Sequence, residues 1–360
     1  MKIVIFGLSI TSSWGNGHAS LWRGLCRALA ERGHSVDFFE RDVPYYAQAR
    51  DEVSIEGTRI HLYSDWSLML PTARQCLADS DAGIITSYCP DAIAASELVC
   101  GGKAISVFYD MDSPVTLRRI QSGTSVEYLP ADGLARFELV LSYAGGLALS
   151  LLKTELRAQN VAPLYGWADP KQHSAQPRRA EFRGDLSYLG TYSEDRQESL
   201  QELLLEPAAQ TPGRKFVLAG SQYPASFPWL PNVYFVRHLS PREHGAFYNS
   251  SPMTLNVTRR AMLEMGYCPS GRIFEAAACQ IPVLSDYWDG LEEFFVPGEE
   301  ILVARDRHDT MAALDMAPEA LARIGRAAYE RTLSDHTASA RAVQLELILE
   351  SARKPATVPA

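Results

Sequence analysis

A chain of 360 residues, 46% of them hydrophobic, holds material for about two domains with ordinary packed cores. Its 34 Lys and Arg against 43 Asp and Glu give a formal charge of −9 with no basic run, which argues against a protein whose main task is to coat nucleic acid or an anionic membrane. The apolar run Lys2-Ile3-Val4-Ile5-Phe6 is followed at once by polar Thr11-Ser12-Ser13, which suits neither a signal-peptide core nor a membrane span. The expectation is a cytoplasmic protein with no integral membrane segment.

In chain order, Lys2 to Phe6 reads as a strand ending at Gly7, and residues 18 to 32 as an amphipathic helix. Leu21, Leu25 and Leu29 form its apolar stripe, Arg23, Arg27 and Arg32 lie on other faces, and Gly33 ends it. Strand-like runs follow at Val36–Phe39, Ile60–Tyr63, Gly83–Thr86, Ala104–Tyr109 and Leu139–Ser142. They alternate with helical stretches near 67–78, 91–99, 114–121 and 146–158. Such alternation predicts a parallel sheet covered on both faces. From Val161 to Arg183 the chain is rich in Pro, Gln, Ala and charge and lacks a helical stripe, so a domain boundary is expected there.

The second half opens as the first does, with Leu186-Ser187-Tyr188-Leu189 ending at Gly190. Further strands are expected at Phe216–Ala219, Val233–Val236, Met253–Val257, Pro282–Ser285 and Ile301–Ala304, and helices at 194–205, 241–249 and 271–279. Residues 318–353 read as one or two closing helices, and Lys354 to Ala360 as a frayed tail. The predicted organisation is an α/β protein of two tandem Rossmann-like domains, 1–165 and 166–335, with 336–360 a C-terminal helix and tail packing back toward the first domain. Ligands of such folds bind beyond the carboxyl ends of the strands, so function is expected in the loops there and in a cleft between the domains.

Six scattered cysteines without a CxxC pair, and eight histidines without HExxH, suggest neither a disulfide framework nor a dedicated metal site. Three stretches could carry chemistry. Gly15-Asn16-Gly17-His18 precedes a helix, where free N–H groups favour an anion or sugar hydroxyls; a tight turn is the plain alternative. With Glu40 as a ribose acid the loop would suit a dinucleotide, but it begins eight residues after Gly7, too far from the strand for that fingerprint. His18 could serve as a general base or only in a structural hydrogen bond. Asp110-Met111-Asp112 closes a strand, so its carboxylates could hold a metal, act as a base or bond a sugar, while Asp112 could equally cap the next helix. Third, Ser270, Gly271, Arg272 and Glu275 open a helix with exposed N–H groups, a guanidinium for phosphate oxygens and a carboxylate for ribose; the alternative is that Ser270 and Glu275 merely favour the first turn.

The chain also resembles a known family. Its second half looks like the donor domain of GT-B glycosyltransferases, and about residues 1–335 resemble the CgeB-like (spore maturation protein B) glycosyltransferases. The resemblance rests on Phe108 to Leu117, Leu141 to Gly146, Pro163 to Pro170, Tyr188 to Tyr192 with Arg196, Leu255 to Arg259, Arg272 to Asp286, and Asp289 to Glu292. It implies a nucleoside-diphosphate sugar bound mainly by the second domain and an acceptor (surface glycan, protein or small molecule) bound mainly by the first, with no cofactor or metal required. Glu275 would hold the ribose. Arg196, Arg259, Arg272 and the backbone at Gly190 and Gly271 would meet the diphosphate, with Asn256 and Ser270 beside them. Asp289, Gly290 and Leu291 would approach the donor sugar. From the residues themselves, Gly15, Asn16 and Gly17 are expected to face the acceptor and, if the reaction inverts, His18, then Asp110 or Asp112, to act as base.

Two positions depart from the pattern. Tyr267 stands where many retaining members place a glutamate, which leaves inversion and retention both open, and Gln280 replaces the glycine of the Ala-Cys-Gly-x-Pro turn. A sugar-nucleotide epimerase, a dinucleotide oxidoreductase and a non-catalytic binding protein are the competing readings.

Overall fold

The computed structural model describes residues 1–353; the Lys354 to Ala360 tail lies outside the described residues. Lys2–Gly7 (β1), Ser35–Arg41 (β2), Thr58–Tyr63 (β3), Ala82–Thr86 (β4), Ile105–Asp110 (β5), Leu139–Ser142 (β6) and Val161–Pro163 (β7) form one sheet, ordered β3-β2-β1-β4-β5-β6-β7. Every pairing is parallel. Because both faces of a parallel sheet are covered, the central strands are almost wholly apolar: Ile3 to Phe6 and Ile105 to Tyr109 are all buried, with Ser106 the polar exception in the second run. This sheet belongs to a unit made of Met1–Tyr165 and the helix Ala338–Ala352. That helix packs on the helix Gly17–Glu31, where Glu346 pairs with Arg32 and lies 3.5 Å from His34.

A second unit, Gly166–Thr337, contains Leu186–Leu189 (β8), Phe216–Gly220 (β9), Val233–Arg237 (β10), Thr254–Asn256 (β11), Val283–Ser285 (β12) and Leu302–Val303 (β13). Its sheet is also parallel, ordered β10-β9-β8-β11-β12-β13. Leu186, Tyr188, Phe216, Leu218, Leu255 and Leu284 pack with Leu200, Leu203 and Leu204 of the covering helical segment. A fully buried Leu or Phe contributes roughly 1.5–3 kcal/mol, so this one-sided cluster alone accounts for much of that segment's docking. Among the described residues no helix is long and apolar enough to cross a membrane.

In each unit the strand order reverses beside the first strand, between β1 and β4 and between β8 and β11. At such a switch point neighbouring connections leave in opposite directions and open a crevice at the carboxyl ends of the strands. The loops after those four strands are therefore where polar groups converge.

The structure departs locally from the sequence reading. The stretch expected to be a boundary from Val161 begins instead with β7, a three-residue edge strand too short to show alternation. The helix expected over 146–158 ends at Thr154. The expected helix 194–205 begins as a 3-10 turn at Glu194–Arg196 and widens to a π turn at Gln201–Leu205, just before Pro207, which has no N–H to give to a regular helix. Arg23 is not on an open face: it is 3% exposed, its Nε donates to Ile10 O at 2.8 Å and its Nη2 to Asp51 Oδ1 at 2.7 Å. That pair holds the loop after β1. Burial opposes ionisation of Asp51, yet Arg23 and Ser13 keep its carboxyl at about 2.

Gln280 has φ +61°, with its N–H on Ala277 O at 2.8 Å and that of Ile281 on Ala276 O at 3.1 Å. This is a Schellman ending for the helix Gly271–Ala278, in which the left-handed residue is usually glycine. Gln280→Gly should raise unfolding free energy by about 1 kcal/mol, the cost of a side chain in that conformation partly offset by the entropy of glycine. Urea unfolding checks this; a loss of stability would show that the Gln280 side chain contributes contacts of its own.

Candidate functional site

In the second unit, β8 delivers the chain to Gly190, whose N–H bonds Ala219 O at 2.9 Å. A Cβ on Gly220 would lie 1.9 Å from Gly190 O, and one on Gly190 would lie 2.7 Å from the Tyr188 hydroxyl and 3.2 Å from Arg272 Nη2. Only bare backbone fits between these strands, and it leaves the space in front of Gly190 to Arg272. That guanidinium sits 5.3 Å over the Tyr188 ring, and its Nη1 donates to Asn256 Oδ1 and Val257 O, both at 3.2 Å. Asn256 is fully buried and also donates to Ser285 Oγ at 2.9 Å and Thr258 Oγ1 at 3.3 Å. Its side chain is thereby committed to orienting Arg272 and to joining the loops after β11 and β12.

Arg196 comes from the turn after β8 and donates from Nη1 to Thr191 O at 3.0 Å, while its Nε is buried without a hydrogen-bond partner. Burial lowers its pKa, Arg272 and Arg259 lower it further, and Tyr188 and Asp195 oppose them. Arg259 Nε donates to Asp195 Oδ2 at 3.3 Å. Three guanidinium groups thus converge, with Asp195 beside Arg259 and near Arg196, and Asp286 near Arg272. Asp286, raised by burial, spends its oxygens on Thr258, accepting from its N at 2.8 Å and its Oγ1 at 2.7 Å.

Ser270 occupies the N-cap of the helix Gly271–Ala278 but makes no side-chain cap bond, so this side chain does not satisfy the first-turn N–H groups. One turn in, Glu275 is enclosed by groups that favour its charge. Tyr248 donates to Oε2 at 3.2 Å, His244 Nδ1 lies 3.3 Å from Oε2, and His173 Nε2 lies 3.8 Å from Oε1. Burial works against ionisation, but His173, His244 and Tyr248 outweigh it and hold the carboxyl at about 2. These three partners were not singled out from the sequence. They lie far from Glu275 along the chain, and only the folding of the 166–185 stretch onto the helical segment 241–249 assembles them.

Asp289 is exposed, and its O accepts from Tyr267 N at 2.6 Å. Tyr267 (φ +47°) fills the space beside Gly290, where a Cβ would lie 2.4 Å from its ring. Leu291 is fully buried with its N–H on Trp288 O at 3.2 Å, so Asp289 is the side chain of this stretch turned outward.

In the first unit, the loops after β1, β4 and β5 bring together His18, Tyr88, Asp110 and Asp112. Asn16 caps the helix Gly17–Glu31, accepting from His18 N at 3.1 Å, and donates to Ser9 O at 3.1 Å and Ser12 O at 3.2 Å. It is buried, whereas Gly15 (φ +58°) and Gly17 are exposed. The His18 ring lies 6.0 Å from that of Tyr88, whose hydroxyl donates to Asp112 Oδ2 at 2.7 Å. Burial lowers the His18 pKa and the Asp112 charge partly restores it. Asp112 stands at the N-cap of the helix Ser113–Gln121, yet its side chain makes no cap bond. Asp110 is fully buried, its Oδ1 accepts from Asp112 N at 3.0 Å, and burial pushes its carboxyl up to about 7. The two carboxylates therefore do not form an open chelating pair.

Glu40 overturns its reading as a ribose acid. It is fully buried and accepts from Ser9 Oγ at 2.8 Å, Ile10 N at 2.7 Å, Thr11 N at 3.0 Å and Thr11 Oγ1 at 2.6 Å. Its oxygens are consumed in holding the loop after β1.

Two pH effects of opposite sign follow. Glu275, lowered from 4.5 to about 2, stabilises the fold above pH 4.5, and this is lost as pH falls toward 2, by roughly 3 kcal/mol at most. Asp110, raised from 3.8 to about 7, makes stability fall as pH rises from about 4 to 7, by up to roughly 4 kcal/mol. Urea unfolding across pH should show Glu275→Gln flattening the acid limb and Asp110→Asn the limb between pH 4 and 7. Unchanged slopes in either variant would contradict the corresponding assignment.

The model of the family described as "Glycosyl transferase-like" matches residues 196–346, a span that includes Arg196, Arg259, Arg272 and Glu275. Sucrose-phosphate synthase from Thermosynechococcus elongatus superposes with a TM-score of 0.72 at 16% identity, covering 98% of each chain. HepE of Anabaena, solved in complex with UDP-glucose, gives 0.66 at 13% identity over 98% of this chain and 100% of its own. The catalytic domain of starch synthase IV from Arabidopsis thaliana, bound to ADP and acarbose, gives 0.62 at 11% identity over 98% and 99%. A search of curated protein sequences finds no match. At these identities the likeness is one of fold, and that fold is GT-B: two Rossmann-like units with parallel sheets.

Proposed function

We propose that this protein is a glycosyltransferase of the CgeB-like family that moves a sugar from a nucleoside-diphosphate sugar to an acceptor hydroxyl. The observation that carries the reading is the convergence of Arg196, Arg259 and Arg272 at the β8/β11 switch point, where Asp195 pairs with Arg259 and Asp286 lies near Arg272. Clustered, partly desolvated cations are costly without an anion, and a diphosphate would supply several charge-assisted hydrogen bonds. The glycosyltransferase-like family match over this segment and the nucleotide-bound HepE and starch synthase neighbours support the same reading.

In this reading Glu275, kept ionised by its two histidines and Tyr248, accepts from the ribose hydroxyls, and the backbone at Gly190 and Gly271 approaches the phosphates. Ser270 lines the same helix start, and Asp289, with the backbone at Gly290 and Leu291, faces the sugar. Asn256 acts by holding Arg272. The acceptor oxygen forms a bond to the anomeric carbon as the bond from that carbon to the diphosphate breaks. The guanidinium groups and first-turn N–H groups then stabilise the departing charge, the task a metal performs in GT-A enzymes.

The first unit supplies the acceptor half, with Gly15 and Gly17 giving backbone access and Asn16 fixing the loop. His18, its pKa lowered, is neutral near pH 7 and can accept the acceptor proton if the reaction inverts. Asp112 stabilises the resulting imidazolium, and Asp110 positions Asp112. If the reaction retains configuration, the leaving phosphate takes the proton instead.

The test is thermal stabilisation by UDP, GDP, ADP, TDP and CMP, with NAD and NADP as controls. At about 100 times its dissociation constant, the cognate nucleotide should add about 2.7 kcal/mol. Glu275→Ala and Arg272→Gln should each weaken its binding at least about tenfold, the loss of roughly one good charge-assisted hydrogen bond. Stabilisation by NAD or NADP alone would refute the reading. With a cognate donor, a free epimerised sugar nucleotide would indicate an epimerase, and binding without turnover across an acceptor screen a non-catalytic protein.

A further inference from the structure

Away from both clusters described above, three metal-ligating side chains meet on the first unit's sheet: Asp37 of β2, His61 of β3 and Cys76 of the helix Trp66–Ala78. One ligand atom from each lies within 4.8 Å of the other two. All three are partly buried, between the β2/β3 edge and the covering helix, so the donors face one another and still open to solvent. The backbone fixes two of them. Parallel pairing sets His61 beside Phe39 and Asp37 beside Arg59, which places Asp37 and His61 as diagonal neighbours on one face. The imidazole stacks on the Phe39 ring at 4.3 Å between centroids and 8° between planes. Its Nε2 meets Asp37 Oδ1 at 2.7 Å.

We propose that Asp37, His61 and Cys76 form a zinc site in which thiolate, imidazole and carboxylate take three positions of a tetrahedron and water the fourth. The chemistry of the set selects the ion. A thiolate excludes magnesium and calcium, and one sulfur with one nitrogen and one oxygen suits a borderline-soft dication of four-coordinate preference. Bond lengths of about 2.0–2.3 Å place tetrahedral ligand atoms roughly 3.3–3.8 Å apart, within reach of small side-chain rotations from the present spacing. Zinc displaces the thiol proton of Cys76 to solvent and binds His61 Nε2 as the proton of that nitrogen moves to Nδ1. Arg59, which is 75% exposed and 3.7 Å from Asp37, is free to swing into solvent as the ion neutralises that carboxylate. Such a clip ties the helix Trp66–Ala78 to the β2/β3 edge. The three residues lie 24 and 15 positions apart, which is why no sequence motif reveals them.

A second three-donor cluster, His173, His244 and Glu275, does not share this chemistry. His173 Nδ1 accepts the Asp169 N–H at 3.2 Å, so in the neutral ring the proton sits on Nε2, the nitrogen facing Glu275, which leaves no lone pair there for a metal.

Cobalt titration of the full-length protein tests the site, because cobalt substitutes for zinc and a thiolate ligand gives it an intense near-ultraviolet charge-transfer absorption. The expected result is one equivalent bound with that absorption, displaced by zinc, and a rise in Tm with zinc. Cys76→Ser should abolish the absorption, His61→Gln should weaken binding at least about tenfold, and Cys100→Ser should leave both unchanged. No thiolate absorption with folded wild type, or the same absorption in Cys76→Ser, would overturn the proposal. Should Cys76→Ser fail to fold, unchanged cobalt affinity in His61→Gln would overturn it equally.

Discussion

Three guanidinium groups held close together are the constraint around which the switch point of the second unit is built. Like charges in a partly desolvated setting oppose one another, and the effect is visible in Arg196, which burial and its two neighbours push below the ordinary arginine range. The fold accepts this because each group is restrained from elsewhere: Arg272 by the Tyr188 ring and the Asn256 amide, Arg259 by Asp195, Arg196 by a backbone carbonyl. In the proposed reading a diphosphate offsets the cost of this arrangement by supplying negative charge to the cluster.

The two units apply one topology to two kinds of chemistry. In both, the sheet order reverses beside the first strand, and loops from several strand ends meet at the crevice. The second unit fills its crevice with fixed cations and one carboxylate held ionised at about 2. The first fills its own with groups that titrate: an imidazole lowered by burial and a carboxyl raised to about 7. In the proposed reading, charge stabilisation falls to the second unit and proton handling to the first, each on loops that follow buried strands.

Much of this was legible in the sequence, because strands buried on both faces must be apolar and because parallel strands need helical crossovers. The runs Leu139 to Ser142 and Leu186 to Leu189 match β6 and β8 residue for residue. Short edge elements were not legible: three residues, as in β7, carry no periodicity. Polar residues misled where burial reversed their meaning. Arg23 reads as lying off the apolar stripe of its helix and Glu40 as a ligand-binding acid, yet both are buried and satisfied by the loop that follows β1. At Gln280, where the family pattern has glycine, the turn is left-handed all the same, since hydrogen bonding there fixes the backbone whatever the side chain. Glu275 stood out by its place one turn into a helix. His173 and His244, which hold it ionised, had no such signal, since neither shares a turn or strand with it.

The most direct test of the central claim compares calorimetric affinities for a cognate nucleoside, its monophosphate and its diphosphate, at several salt concentrations, in wild type and Arg196→Gln. The account predicts that each phosphate tightens wild-type binding, that salt erodes the gain, and that Arg196→Gln loses the phosphate increment while keeping its affinity for the nucleoside. Equal affinity for nucleoside and diphosphate in the wild type would contradict it, because the guanidinium cluster would then have some task other than holding a diphosphate.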